Sequence, residues 1–177
     1  MAQYDLNNLE LDDNQYDLLP EGAYHFRVER HEIDYYSGSS EKVPAGCQQI
    51  ITHLEIPYTS DTGSVKTVSI KNTMNVYAKM LGVIRSFAEC IGLCEEKGKF
   101  TFDVNKIDGR DGICEVSHRD YNGSSYNNIT TCYSPSSAPK KCLNADEWKQ
   151  YKDNGGFVEP NPGEIPDSLF GASEGDK

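Results

Sequence analysis

Eleven tyrosines stand against six phenylalanines and one tryptophan in a chain of 177 residues. Flat rings set among cations suit one kind of chemistry. A base stacks on the ring while a neighbouring Lys or Arg holds the phosphate, which gives a sequence-tolerant grip on an unpaired strand. Tyr35 and Tyr36 are adjacent, and Tyr121 and Tyr126 flank an Asn122-Gly123 turn signal. Lys42, Lys66, Lys71 and Arg119 are the cations expected to line the same surface. Packing is a competing use for these rings, and Tyr126 in particular suits a cross-strand partner for Tyr121.

Catalytic patterns are missing from the sequence. It holds no Gly-rich phosphate loop followed by Lys-Ser/Thr, no paired histidines at helical spacing and no nucleophile elbow. The Asp-Gly-Arg-Asp-Gly run at 108–112 lacks the spacing and closing Glu of a calcium loop and reads as a turn. Six cysteines (Cys47, Cys90, Cys94, Cys114, Cys132, Cys142) read as free thiols, small hydrophobes that are commonly buried. Cys90 and Cys94 are the closest pair, four apart on an expected helix, which falls short of a zinc-ligand pattern. Neither an enzyme nor a cofactor or metal is expected.

The formal charge of −11 is unevenly spread. The first 21 residues carry six acids and no base, whereas residues 22–131 carry 12 bases against 14 acids. A near-neutral middle leaves room for a local basic surface that can meet phosphates. No apolar run approaches the ~18–20 residues that a membrane span needs. The acidic start lacks the basic and apolar stretches of a secretory signal, so a cytoplasmic location is expected. Residues 155–177 are rich in Pro, Gly and acids and are expected to be a disordered acidic tail. Within it, Ile165, Asp167, Leu169 and Phe170 form an acidic patch ending in an aromatic residue, suited to docking a partner. The expected organisation is an acidic extension over 1–17, a domain over 18–133, a short helical extension over 134–154 and the tail.

The elements that must position the rings follow from periodicity. Tyr24, Phe26 and Val28 alternate with polar residues in a first strand over 23–33. A polar loop over 34–46 carries Tyr35 and Tyr36. A second strand over 47–58 puts Ile50, Thr52, Leu54 and Ile56 on one face, and a third over 64–72 turns Val68 and Ile70 inward. Val76, Met80, Val83, Ile84, Phe87 and Ile91 then recur at helical spacing, with Asn75 as cap and Gly92 just past the end. Phe100 and Phe102 are candidates for a short strand. Strands over 112–121 and 126–132 close on the Asn-Gly hairpin, and 144–151 reads as a short helix. Three antiparallel strands, a helix and a hairpin are the element order of an OB-fold, a five-stranded Greek-key barrel with one helix between strands 3 and 4. Such a barrel binds its ligand on the outer face of strands 2 and 3, rimmed by the strand 1–2 and 4–5 loops.

The stretches Leu19-Pro20-Glu21-Gly22-Ala23-Tyr24, Gly109-Arg110-Asp111-Gly112 and Tyr121-Asn122-Gly123 through Tyr126-Asn127-Asn128-Ile129 resemble a family of small bacteriophage proteins. Its members lie in replication and recombination modules. The resemblance covers about residues 17–131 and implies a protein that binds single-stranded DNA, with no catalytic residues to carry over. The family often has a Trp near the helix start, where this chain has Val76-Tyr77-Ala78-Lys79. The tail loosely resembles the acidic ends of bacterial single-strand-binding proteins, which implies recruitment of a phage recombinase, helicase or polymerase. Self-association stays open. An adaptor that binds a phage or host protein through the same fold is the alternative reading, favoured by the modest charge of the middle.

Overall fold

The computed structural model describes residues 18–155. The alternating segments form β1 (Gly22–Tyr35), β2 (Gln48–Thr59), β3 (Val65–Asn75), β4 (Asp111–Tyr121) and β5 (Ser124–Tyr133). All pair antiparallel in one open sheet of order β3-β2-β1-β4-β5. The helix α1 (Leu81–Cys90) lies between β3 and β4 in the chain, and α2 (Ala145–Asp153) follows β5. The two edge strands, β3 and β5, approach within 8 Å at Cα positions although no ladder joins them.

Period two decides the core. Tyr24, Phe26 and Val28 of β1, Leu54 and Ile56 of β2, Val68, Ile70 and Met74 of β3, and Cys114 and Val116 of β4 all point inward. Ile84 and Phe87 of α1 pack against them. Thr52 shares this face, fully buried, and its hydroxyl donates to the Asn72 carbonyl at 3.3 Å, so its burial leaves no orphan oxygen. The β1–β2 register slips between Val28 and Arg30. A slip of one residue swaps faces. Before it His25 and Arg27 face outward; beyond it Arg30 and Glu32 do, while His31 and Ile33 take the inward side opposite Thr52 and Ile50.

Asn122 and Gly123 form a two-residue hairpin turn with φ of 51° and 79°, the left-handed pair that matches strand twist. The helix starts later than the periodicity predicts. Asn75 is the last residue of β3, and its side chain accepts from Gln49 Nε2 at 2.7 Å instead of capping a helix. A 3-10 turn at Ala78–Met80 leads into α1, whose first turn has no side-chain cap. The shorter helix leaves Val83 half exposed rather than in the core, beside an exposed Leu81. Gly92 takes its place past the helix end with φ of 73°. Phe100 and Phe102 form no strand; their rings stack at 5.9 Å and pack beneath the core.

The segment after β5 folds back onto the sheet. Asn144 is fully buried; its Nδ2 donates to the carbonyls of His25 (3.0 Å) and Pro57 (2.9 Å), and its Oδ1 accepts from the His25 amide at 2.9 Å. These bonds tie the start of α2 to β1 and β2, laying that helix across the outer face of the sheet.

Candidate nucleic-acid interface

Two patches of aromatic and cationic residues occupy the outer face. The first lies under α2. Trp148 stacks on His25 with ring centroids 5.4 Å apart and on Tyr151 at 5.3 Å. Arg27 lies over both Trp148 and Tyr151, at 5.8 and 5.2 Å from their ring centroids. Arg27 and Tyr151 are both held by carboxylates. Arg27 Nε donates to Asp111 at 2.7 Å, which holds the guanidinium more firmly charged. The Tyr151 hydroxyl donates to Glu55, and burial followed by that bond pushes the phenol well above its ordinary range. Burial, then the nearby Lys152, lowers the His25 pKa. α2 closes this patch over Trp148 and Tyr151, both buried, and at its edge His25, Asp111 and Trp148 border a hollow of about 310 Å³.

The second patch is open. Arg119 and Tyr126 are direct partners across the β4–β5 ladder, and Tyr121 stands opposite Ser124 one outward position further on. Tyr126 is therefore a diagonal neighbour of Tyr121 and a direct partner of the arginine. Ser117 and Asn128 share the same outward face. Lys71 comes from β3, on the outward side opposite His53, across the seam where β3 and β5 approach. Lys71, Arg119, Tyr121, Tyr126, Asn127 and Asn128 surround a hollow of about 360 Å³. Tyr121 is 60% exposed, and Lys71 and Arg119 are exposed as well. Asp120, the acid next to Arg119 in the chain, points to the other face and accepts from Ser125 Oγ at 2.5 Å. Two rings, two cations and the Asn128 amide thus line one concave surface, while Asn127 stands opposite His118 on the other face, its Oδ1 accepting from the Leu19 amide at 2.9 Å.

Other expected site residues lie apart from this hollow. Tyr35 ends β1 opposite Gln48, 60% exposed, on the side of His31 and Ile33 and so on the opposite face from Lys71. It is also roughly 17 Å further along the ribbon than Arg30, at ~3.3 Å per residue. Tyr36 fastens its own loop: its hydroxyl accepts from the Ser40 amide at 3.1 Å, and its amide donates to Cys47 at 2.8 Å. The ring leaves so little room at Gly38 that a Cβ there would meet its hydroxyl at 2.3 Å. Lys42 is exposed on this loop. Lys66 stands opposite Tyr58, on the face of Val68 and Ile70 rather than that of Lys71. Ile165, Asp167, Leu169 and Phe170 lie outside the described residues, as does the 1–17 extension.

Sequence reasoning missed Asn128 as a site residue. The signal was present, because alternation counted back from the hairpin puts Asn128 on the face of Tyr126. It also missed the Arg27–Trp148 patch, which depends on a contact between segments far apart in the chain. Around the 108–112 turn, Asp108 pairs with His31 at 2.6 Å and Asp111 with Arg27, so these carboxylates are structural partners. Arg30 and His53 flank Glu32 and hold its carboxyl below the usual range. Among the described residues no group of three or more His, Cys, Asp or Glu is arranged to hold a metal. Among them, too, no helix is long and apolar enough to cross a membrane.

Fold and site together define a mainly β protein, with one five-stranded antiparallel sheet, a helix after the third strand and an aromatic–cationic hollow at the seam of the two edge strands. Compared with known proteins, the chain matches no family model and no curated sequence.

Proposed function

We propose that this protein binds single-stranded DNA without catalysing a reaction on it, and serves phage DNA replication or recombination. The observation that carries the reading is the shared hollow of Lys71, Arg119, Tyr121 and Tyr126. The sheet order, with its two edge strands approaching each other, supports reading the domain as a Greek-key barrel of the OB kind. In that reading α2 covers part of the usual ligand face, and the strand is gripped at the β3–β5 seam instead. The resemblance of residues 17–131 to a phage family supplies the replication or recombination context.

Magnitudes constrain how such a site works. Two stacked bases at ~1–3 kcal/mol each supply at most about 6 kcal/mol. Micromolar affinity needs about 8 kcal/mol, so one hollow with two cations binds weakly alone and occupancy depends on several copies along a strand. Anisotropy titration of a labelled dT oligonucleotide tests the reading. Two phosphate contacts give a salt slope of about −1.4, so a tenfold rise in salt weakens binding about 25-fold. A duplex, whose bases are not free to stack on the rings, binds less tightly. Absence of binding to every single strand, DNA or RNA, at low salt ends the proposal.

One observation favours the adaptor reading. The exposed Leu81 and Val83 of α1 adjoin a groove of about 210 Å³ between α1, β3 and β5. A pull-down that recovers a stoichiometric protein partner, with oligonucleotides bound no better than by an unrelated acidic protein, decides for it.

A further inference from the structure

Three cysteines meet where α1 runs against the β4–β5 ladder. Cys90, the last residue of α1, donates its thiol proton to the Ile113 carbonyl at 3.3 Å. Its sulfur would lie 2.6 Å from a Cβ on Gly112, so the glycine is what lets the helix end sit so close to β4. Cys132 of β5 stands directly opposite Cys114 in the ladder, one residue before the Tyr133 that pairs with Ile113. The neighbouring Cys132 thiol holds the Cys90 thiol below its ordinary range despite burial, while Cys90 and burial together raise Cys132 well above it.

Access separates the three. Cys90 lines a hollow of about 310 Å³ with Asp111, Tyr133 and Trp148, far larger than the ~30 Å³ that one water occupies in the liquid. Cys132 lines the separate groove of about 210 Å³ beside α1. Cys114 is fully buried and lines neither hollow.

We infer that Cys90 and Cys132 form a peroxide-oxidisable thiol pair, which a small hydroperoxide such as hydrogen peroxide converts to a disulfide stapling α1 to β5. The Cys90 sulfur attacks one peroxide oxygen, the O–O bond breaks, and Cys90 becomes a sulfenic acid as the first water leaves. The Cys132 sulfur then attacks the Cys90 sulfur, the S–O bond breaks and a second water leaves. Two electrons pass from the thiols to the peroxide, and both thiol protons end in water. The pair stands on the packing of α1 against β4 and β5 and is independent of what the outer hollow binds.

The test treats the folded full chain with hydrogen peroxide, alkylates the remaining thiols and maps peptides without reduction. The expected result is the loss of two free thiols and one cross-linked peptide joining Cys90 to Cys132. The melting temperature should rise by several degrees and return on reduction, since the bond closes a long loop. Cys132→Ser should abolish the cross-link and the shift, whereas Cys94→Ser should keep both. A cross-link between Cys114 and Cys132, oxidation that ends at sulfinic acid without a link, or thiols that stay free in the folded chain would each overturn the inference. The wild-type peptide map decides the matter even where a variant fails to fold.

Discussion

Arg27 and Arg119 are both outward-facing strand arginines beside two aromatic rings, and they end in opposite situations. Arg27 is covered by α2, held by Asp111 and stacked over Trp148 and Tyr151. Arg119 stands exposed with Lys71, Tyr121 and Tyr126 around an open hollow. Residue type therefore does not separate an internal clamp from a binding surface. What separates them is whether the chain brings its own carboxylates and its own second layer. The first patch has Asp111, Glu55 and a helix; the only acid adjoining Arg119 in the chain points away from the second.

The largest way to break this comparison is to remove the centre of the closed patch. Trp148 is 5% exposed and stacks on both His25 and Tyr151, so Trp148→Ala should cost about 3–5 kcal/mol of stability, read as a lower urea midpoint. At a denaturant concentration where the variant is still folded, its affinity for a dT oligonucleotide should match wild type. A large loss of affinity with intact folding would mean that the closed patch is itself the binding surface.

Next comes the open patch. Tyr121→Ala/Tyr126→Ala should weaken single-strand binding by about 2 kcal/mol or more, roughly 30-fold, because each ring carries at least ~1 kcal/mol of base stacking. The Tyr35→Ala/Tyr36→Ala pair should change affinity far less, since those rings lie off the face of Lys71. The reverse ranking, read in the same titration, would move the interface to the β1–β2 loop.

The sequence made the strands legible because alternation, an Asn-Gly turn and β-branched inward residues all point one way. Val68 and Ile70 go inward with Thr52, Leu54 and Ile56 as period two requires. The helix start was less legible, since Asn75 is equally suited to a cap and to the end of a strand paired with Gln49. At the site, Lys71 and Lys66 look alike in sequence and fall on opposite faces by parity alone, which counting from Val68 already foretells. The position of Tyr35 could not be counted the same way, because the slip after Val28 inverts the alternation along β1. The α2 clamp was illegible for another reason. Its buried Asn144 finds partners in His25 and Pro57, and nothing local in 134–154 encodes that distant pairing.

A smaller effect sharpens the contrast between the two cations. Lys71→Ala should cost under about 1 kcal/mol in affinity while making the salt slope shallower by about 0.7, the loss of one phosphate contact to a single strand. Arg27→Ala should leave that slope unchanged, since its guanidinium is committed to Asp111. Equal slopes for both variants would place phosphates over the closed patch too.

The smallest expected effect is a pH dependence confined to the closed patch. Burial and Lys152 lower the His25 pKa in the folded state, and the opposing pull of Asp111 is the weaker one. The unfolded chain then holds more protons at this position than the folded protein, so acid favours unfolding. His25's contribution to stability is whole above the ordinary imidazole value of about 6.5 and is lost as pH falls through that value toward the lowered one. Glu32 and Glu96, whose carboxyls are held below their usual range, release their contributions only at lower pH, and the comparison with His25→Gln isolates the part of the neutral-to-mildly-acid window that belongs to His25. Urea midpoints across that window should therefore fall with pH in wild type and stay flatter in His25→Gln. A slope of the opposite sign would mean that Asp111 outweighs burial at His25. The patch would then welcome a proton, and its closure under α2 would tighten in acid rather than loosen.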